Sequence, residues 1–256
     1  MTRAGHHTMM GGAAAPMRCA AFASSYARAN IGSWTTANQG SFTMACWVWL
    51  NDPPYPTGVG TVMSMHSSTS NVGAQLDAIS GNARKFRSVF QNVAVLGPTA
   101  NEVGGNGEWH HYVISYNYST ATFVGYLDGA SQITGTPNRW LNSNADLIMS
   151  ICTNGAATSL MNCKVANANL YLRALSSNDV ATLAAGIGVV PSDADHQWLF
   201  AAEDFTDTGV AATKWDLTAT GTVAFEKLST GGGGGRLWLL LRRSLCARRS
   251  SERRAA

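Results

Sequence analysis

The side chains that could do chemistry in this chain are few and scattered. His110 and His111 are adjacent, inside the run GEWHHYVISYNYSTATFVGYLDG that spans residues 107–129. Neighbouring histidines on a strand point to opposite faces, so they cannot ligate one metal or flank one nucleophile. His110 is therefore expected in the core, with its ring nitrogens met by backbone. The densest acidic cluster, Glu203, Asp204 and Asp207, precedes Gly209 in a stretch without strand alternation. Retaining glycoside hydrolysis needs two carboxylates about 5–5.5 Å apart, at alternate positions of one strand face, and this cluster does not offer them. No Gly-x-Ser-x-Gly elbow or nucleotide fingerprint occurs, and the glycines 231–235 lack the Lys-Ser/Thr of a phosphate loop. The five cysteines, Cys19, Cys46, Cys152, Cys163 and Cys246, show neither a Cys-x-x-Cys pair nor metal-finger spacing. Cys46 lies mid-strand and reads as a buried free thiol. Cys152 and Cys163 flank a Gly/Asn/Thr/Ser-rich connection and can form a disulfide only if their strands are neighbours.

The elements that must position these groups are β-strands. In the stretch 41–50 (SFTMACWVWL), Phe42, Met44, Cys46, Val48 and Leu50 alternate with Thr43, Ala45, Trp47 and Trp49. In 109–116, His110, Tyr112, Ile114 and Tyr116 alternate with Trp109, His111, Val113 and Ser115. If the Phe42 set fills a core, Trp47 and Trp49 face outward. Trp109, His111 and, from the return strand 122–127, Tyr126 can share that face. Aromatic rings beside polar groups stack on sugars or peptide side chains, so Trp47, Trp49, Trp109, His111 and Tyr126 are the candidate ligand-binding residues. The competing reading is that a loop or the C-terminal segment covers them, as large aromatics are mostly buried.

Further strands are expected at 19–31 (a first edge strand), 61–66, 73–79, 85–91, 93–96, 132–134, 147–152 and 163–172. Others are expected at 196–200, 215–218 and 222–226. Short strands with turn signals at roughly 8–12-residue spacing form an all-β pattern. One helix is expected at 177–185, opened by the capping box Ser176-x-x-Asp179 and closed by Gly186.

Composition points the same way. Among 256 residues only 13% are charged and 26 are glycine, which suits an extracellular-type β-sandwich. The net charge of +3 is misleading, because residues 236–254 hold seven arginines and one glutamate, leaving 11 basic and 14 acidic side chains elsewhere. The body of the chain thus has no basic footprint for nucleic acid. Residues 1–16 are expected to be disordered and lack the continuous apolar run of a secretory signal. Residues 17–228 read as one domain, and 229–256 as a Gly-rich linker with an Arg-rich tail. No apolar run approaches the length of a membrane span.

Three stretches together resemble the laminin-G-like, concanavalin A-like jelly-roll domains. They are the Trp109-His110-His111 strand leading to Tyr126-x-Asp128-Gly129, the Phe42-Thr43 strand with Trp47-Val48, and Arg173-Ala174-Leu175-Ser176 before the short helix. The resemblance implies an antiparallel jelly-roll β-sandwich whose last strands pair with the first. Calcium at a sandwich rim is one implied ligand, for which Asp77, Asp128, Asp146 and Asn144 supply oxygens, against a plain turn-capping role. The glucanase members carry a Glu-x-Asp-x-(x)-Glu strand that this chain lacks. The resemblance therefore implies a non-catalytic recognition or adhesion module for glycan or a cell-surface or virion protein, located extracellularly or on a virion. The alternatives are a passive structural domain of a virion or surface assembly, and a degenerate glycoside hydrolase.

Overall fold

The computed structural model describes residues 18–32, 40–50, 59–67, 73–79, 85–90, 94–98, 108–136, 147–153, 157, 160–187, 189 and 191–228. The expected N-terminal segment, the linker and tail from 229, Asn144, Asp146 and Cys246 lie outside those residues. The strands are β1 (Arg18–Phe22), β2 (Tyr26–Gly32), β3 (Phe42–Leu50), β4 (Val59–Ser67), β5 (Gly73–Ile79), β6 (Lys85–Phe90), β7 (Ala94–Pro98) and β8 (Trp109–Asn117). Then come β9 (Thr122–Leu127), β10 (Ala130–Gly135), β11 (Leu147–Ile151), β12 (Cys163–Tyr171), helix α1 (Ser177–Leu183), β13 (His196–Trp198), β14 (Thr218–Thr220) and β15 (Val223–Lys227).

Two antiparallel sheets pack face to face. The larger runs β10-β9-β8-β3-β12-β1-β15, with β13 also paired to β12, and the smaller runs β14-β2-β11-β4-β5-β6-β7. Phe42, Met44, Cys46, Val48 and Leu50 of β3 are all buried in the core between them, as their alternation requires. Across the β3–β8 register, Phe42 pairs with Tyr116, Met44 with Ile114 and Cys46 with Tyr112. Met63, Met65, Leu76, Phe86, Leu147 and Met149 close over them from the smaller sheet. Tyr112 packs with its ring centroid 4.4 Å from that of Phe86 and its hydroxyl lies 2.8 Å from Ser88 Oγ, so this buried polar group is paired across the sheets.

Beyond shifts of about two residues at the ends of β10 and β13, three elements differ from expectation. The first edge strand is two strands, one in each sheet, because Ser24 takes a left-handed φ of 58° and the Ser25 hydroxyl accepts from Ala23 N–H, turning the chain between layers. The stretch from Trp215 is not a strand until Thr218, since Trp215 N–H is bound by the Asp207 carboxylate at 2.9 Å instead of a ladder. The helix ends at Leu183 with Ala184 as its cap, and Gly186 is not among the left-handed glycines. The capping box is present, with Asp179 N–H donating to Ser176 Oγ and Ser176 N–H to Asp179 Oδ2. As expected, the last strands return to the first: β15 pairs with β1 and β14 with β2.

Candidate functional site

The outer face of the larger sheet is where sequence alternation placed the aromatics, and the register brings them into cross-strand pairs. Trp49 lies opposite Trp109, Trp47 opposite His111, and Val113 opposite Tyr126. What covers this face is the chain that follows β12. Thr43 Oγ1 accepts from Leu175 N–H (2.9 Å) and donates to Arg173 carbonyl (3.0 Å), while Ser115 Oγ donates to Leu175 carbonyl (3.2 Å). Arg173 lies 4.9 Å over the Tyr171 ring and pairs with Asp193 at 2.6 Å. These contacts give the Arg-Ala-Leu-Ser stretch its physical meaning: it staples a turn to the sheet so that α1 starts in the right place. Leu175, Val180 and Leu183 then bury against Ala45, Val113, Tyr126 and Tyr171.

The five candidate residues consequently divide. Trp47 is 8% exposed, His111 2% and Tyr126 5%; Trp47 clusters with Cys19 and Ala166, and Trp109, Ile187 and Leu228 pack against that cluster. Trp49 and Trp109 stay half-buried at the surface as an edge-to-face pair with ring centroids 5.8 Å apart. Lys164, opposite Trp49 on β12, sits 5.9 Å over its ring and pairs with Glu226 at 2.6 Å. The surviving ledge thus offers two indoles and one exposed ion pair.

The histidines reverse the expectation set for them. His110 sits at the rim, its side chain 18% exposed, with Nδ1 2.8 Å from Asp128 Oδ2. His111 is the buried one: its ring lies 5.2 Å from that of Trp47, and among the described residues its Nδ1 has no hydrogen-bond partner. Parity along the strand was legible, but depth depends on the post-helix segment lying over Trp47. Burial lowers the His111 pKa to about 4, against the pull of Asp128. Asp128 and Gly129 form the β9–β10 turn with φ of 51° and 80°, a pair suited to a two-residue hairpin. Asp128 also accepts from His111 backbone N–H at 2.8 Å, tying the turn to β8.

The calcium candidates that are described do not converge. Asp128 belongs to the larger sheet's hairpin, whereas Asp77 lies on β5 in the smaller sheet. Asp77 accepts from Arg87 Nη2 at 2.7 Å and Thr61 Oγ1 at 2.8 Å; burial raises its pKa while Arg87 and Thr61 oppose the rise. Among the described residues no group of three or more His, Cys, Asp or Glu side chains is placed to hold a metal. Cys152 and Cys163 are brought together, with Sγ atoms 2.8 Å apart, as free buried thiols. The acidic cluster is dispersed: Glu203 pairs with Arg18 at 2.7 Å, Asp204 accepts from Thr206 N–H, and Asp207 is buried. Asp207 accepts from His196 Nδ1, Gln197 N–H, Gly209 N–H and Trp215 N–H. Burial alone would raise its pKa, but those donors together hold it down at about 2. His196 in turn stacks on Trp215 with centroids 3.6 Å apart. This buried knot organises the loop 204–217.

Two antiparallel sheets with one short helix on an outer face define a lectin-type jelly roll. The chain belongs to the concanavalin A-like lectin/glucanases superfamily, whose laminin-G-type family model matches residues 23–181. No curated protein matches the sequence. Among solved structures, a native heptameric SAP-like pentraxin from Limulus polyphemus superposes with a TM-score of 0.61 at 11% identity, over 86% of this chain and 99% of the pentraxin. A protein from Bacteroides ovatus, assigned as carbohydrate binding, gives a TM-score of 0.61 at 13% identity over 84% of this chain, which spans 61% of that protein. At these identities the likeness establishes the fold alone. A Trypanosoma rangeli sialidase overlays 57% of this chain with a TM-score of 0.44, too weak a likeness to carry an argument.

Proposed function

We propose that this domain is a non-catalytic recognition module that binds glycan through the outer face of its larger sheet. The observation that carries the reading is the Trp49–Trp109 pair. In a layer where Trp47, His111 and Tyr126 are covered, these two indoles remain at the surface beside Lys164 and Glu226. An apolar ring face flanked by hydrogen-bonding groups suits the mixed CH and OH surface of a sugar. The carbohydrate-binding assignment of the Bacteroides ovatus neighbour, on the same fold, is consistent with this reading. The non-catalytic part is supported by the acidic cluster: Glu203, Asp204 and Asp207 each have a structural partner, and they do not form an opposed carboxylate pair on one strand face. A location outside the cell or on a virion belongs to the same proposal.

A glycan array probed with the wild-type domain and with Trp49→Ala and Trp109→Ala tests it. The expected result is a restricted set of glycan signals that both variants lose while their melting temperatures stay close to wild type. An array without signal, or signals indifferent to both substitutions, refutes the ledge.

A further inference from the structure

Two of the buried thiols meet between the layers of the sandwich. Cys152 follows β11, which lies between β2 and β4 in the smaller sheet, and Cys163 opens β12, which lies between β3 and β1 in the larger. Both are fully buried, and their Sγ atoms are 2.8 Å apart. A bond between them would join an interior strand of one sheet to an interior strand of the other, across a separation of eleven positions in the chain.

The backbone on both sides of the pair is fixed. Cys152 N–H donates to the Val62 carbonyl at 2.8 Å, while Cys163 is registered against Leu50 of β3 on one side and Phe22 of β1 on the other. Cys152 holds a φ of 61°, in the left-handed region that glycine occupies without steric cost. The chain accepts that strain for a side chain that meets Cys163. No other described cysteine can take its place. Cys46 also faces the core, but it lies four residues along β3 from Leu50, the partner of Cys163, roughly 13 Å at the rise of an extended strand. A disulfide spans at most about 7 Å between Cα atoms. Cys19 clusters with Trp47 and Ala166, on the other face of the larger sheet.

We propose that Cys152 and Cys163 form a disulfide that staples the two sheets together when the chain folds in the presence of a disulfide oxidant. The structure holds the pair in its reduced form. The bond forms by exchange: one cysteine thiolate attacks a sulfur of a small-molecule disulfide such as oxidised glutathione and displaces a thiolate, and the second cysteine attacks the resulting mixed disulfide and displaces the other. The two cysteines give up two protons and two electrons, and the oxidant leaves as two thiols. Because the thiolate is the reactive form and burial raises the Cys152 pKa, the exchange takes place in the folding chain, before the sheets close over the sulfurs. An extracellular location would supply such oxidants, but the bond does not depend on the glycan reading.

The test refolds the full chain from urea with a mixture of reduced and oxidised glutathione, and in parallel under reductant alone. Each product is alkylated in denaturant, weighed intact and digested without reduction. Protein kept reduced is expected to alkylate at all five cysteines. Oxidatively refolded protein is expected to leave two of the five unmodified, to yield one linked peptide pair joining Cys152 to Cys163, and to melt about 8 °C higher, the effect of closing a loop of this length in a domain of this size. Cys163→Ala should lose both the linkage and the dependence of melting on reductant, whereas Cys46→Ala should keep both. The wild-type linkage map decides the matter even where a variant does not fold. The inference is overturned if all five thiols alkylate after oxidative refolding, if the linkage joins other cysteines, or if bridged and reduced protein melt together. Trp49→Ala leaves the linkage in place, so this proposal and the tryptophan ledge fail separately.

Discussion

Replacing His111 by phenylalanine isolates the cost of burying an imidazole beside Trp47. The ring is 2% exposed, its Nδ1 has no partner among the described residues, and burial takes its pKa from 6.5 to about 4. A folded-state pKa below the unfolded value means the native state resists protonation. The stability contributed by keeping this ring neutral is therefore complete above about pH 6.5 and is lost progressively as pH falls toward 4. At 1.36 kcal/mol per unit, the loss across that window is about 3 kcal/mol. Phenylalanine preserves the ring contact with Trp47, removes the orphaned nitrogen and cannot titrate; the backbone N–H of residue 111 still donates to Asp128. Urea denaturation of wild type and His111→Phe at intervals from pH 7.5 to 4 is the assay, since every other titrating group is common to both and cancels. The two stabilities are expected to be similar at pH 7.5 and to diverge by about 3 kcal/mol in favour of the variant at pH 4. Parallel pH profiles would refute the buried neutral histidine.

Other consequences follow from particular contacts. Asp207→Asn removes the charge that His196 and three backbone N–H groups share, and is expected to cost about 3 kcal/mol in chemical denaturation. With its pKa held at about 2, the Asp207 contribution is present above the ordinary carboxylate range and fades only as pH falls toward 2, so the variant should lack that part of wild type's acid limb. Gly209→Ala would place a Cβ 2.3 Å from the Asp195 carbonyl oxygen and 2.5 Å from His196 Cα, both backbone, and a large drop in melting temperature is expected. Burial raises the pKa of Cys46 and of Cys152, so peptide mapping after brief alkylation should find them unmodified in the native protein and modified once it is unfolded.

The strands that frame the proposed tryptophan ledge were readable because a period of two leaves one answer for each residue. Phe42, Met44, Cys46, Val48 and Leu50 had to face the core, and Trp47, Trp49, Trp109, His111 and Tyr126 then had to share the other face, as the register shows. Depth on that face was not readable. It depends on where Leu175 is pinned and where Ile187 comes to rest, contacts made by residues more than fifty positions from β8 and β3. The same limit explains the histidines, since alternation separates His110 from His111 without saying which is under cover. The split of the first strand turned on Ser24 entering a left-handed conformation, which serine does not announce.

The central claim is that ligand meets the larger sheet on its outer face at Trp49 and Trp109. The most direct measurement follows indole N–H signals by NMR while an array-identified glycan is titrated into the ¹⁵N-labelled protein. The account predicts saturable shifts of the Trp49 and Trp109 indoles, with that of Trp198, bound to the Trp215 carbonyl in the interior, standing still. Shifts confined to residues of the smaller sheet, with both ledge indoles unmoved at saturation, would contradict it.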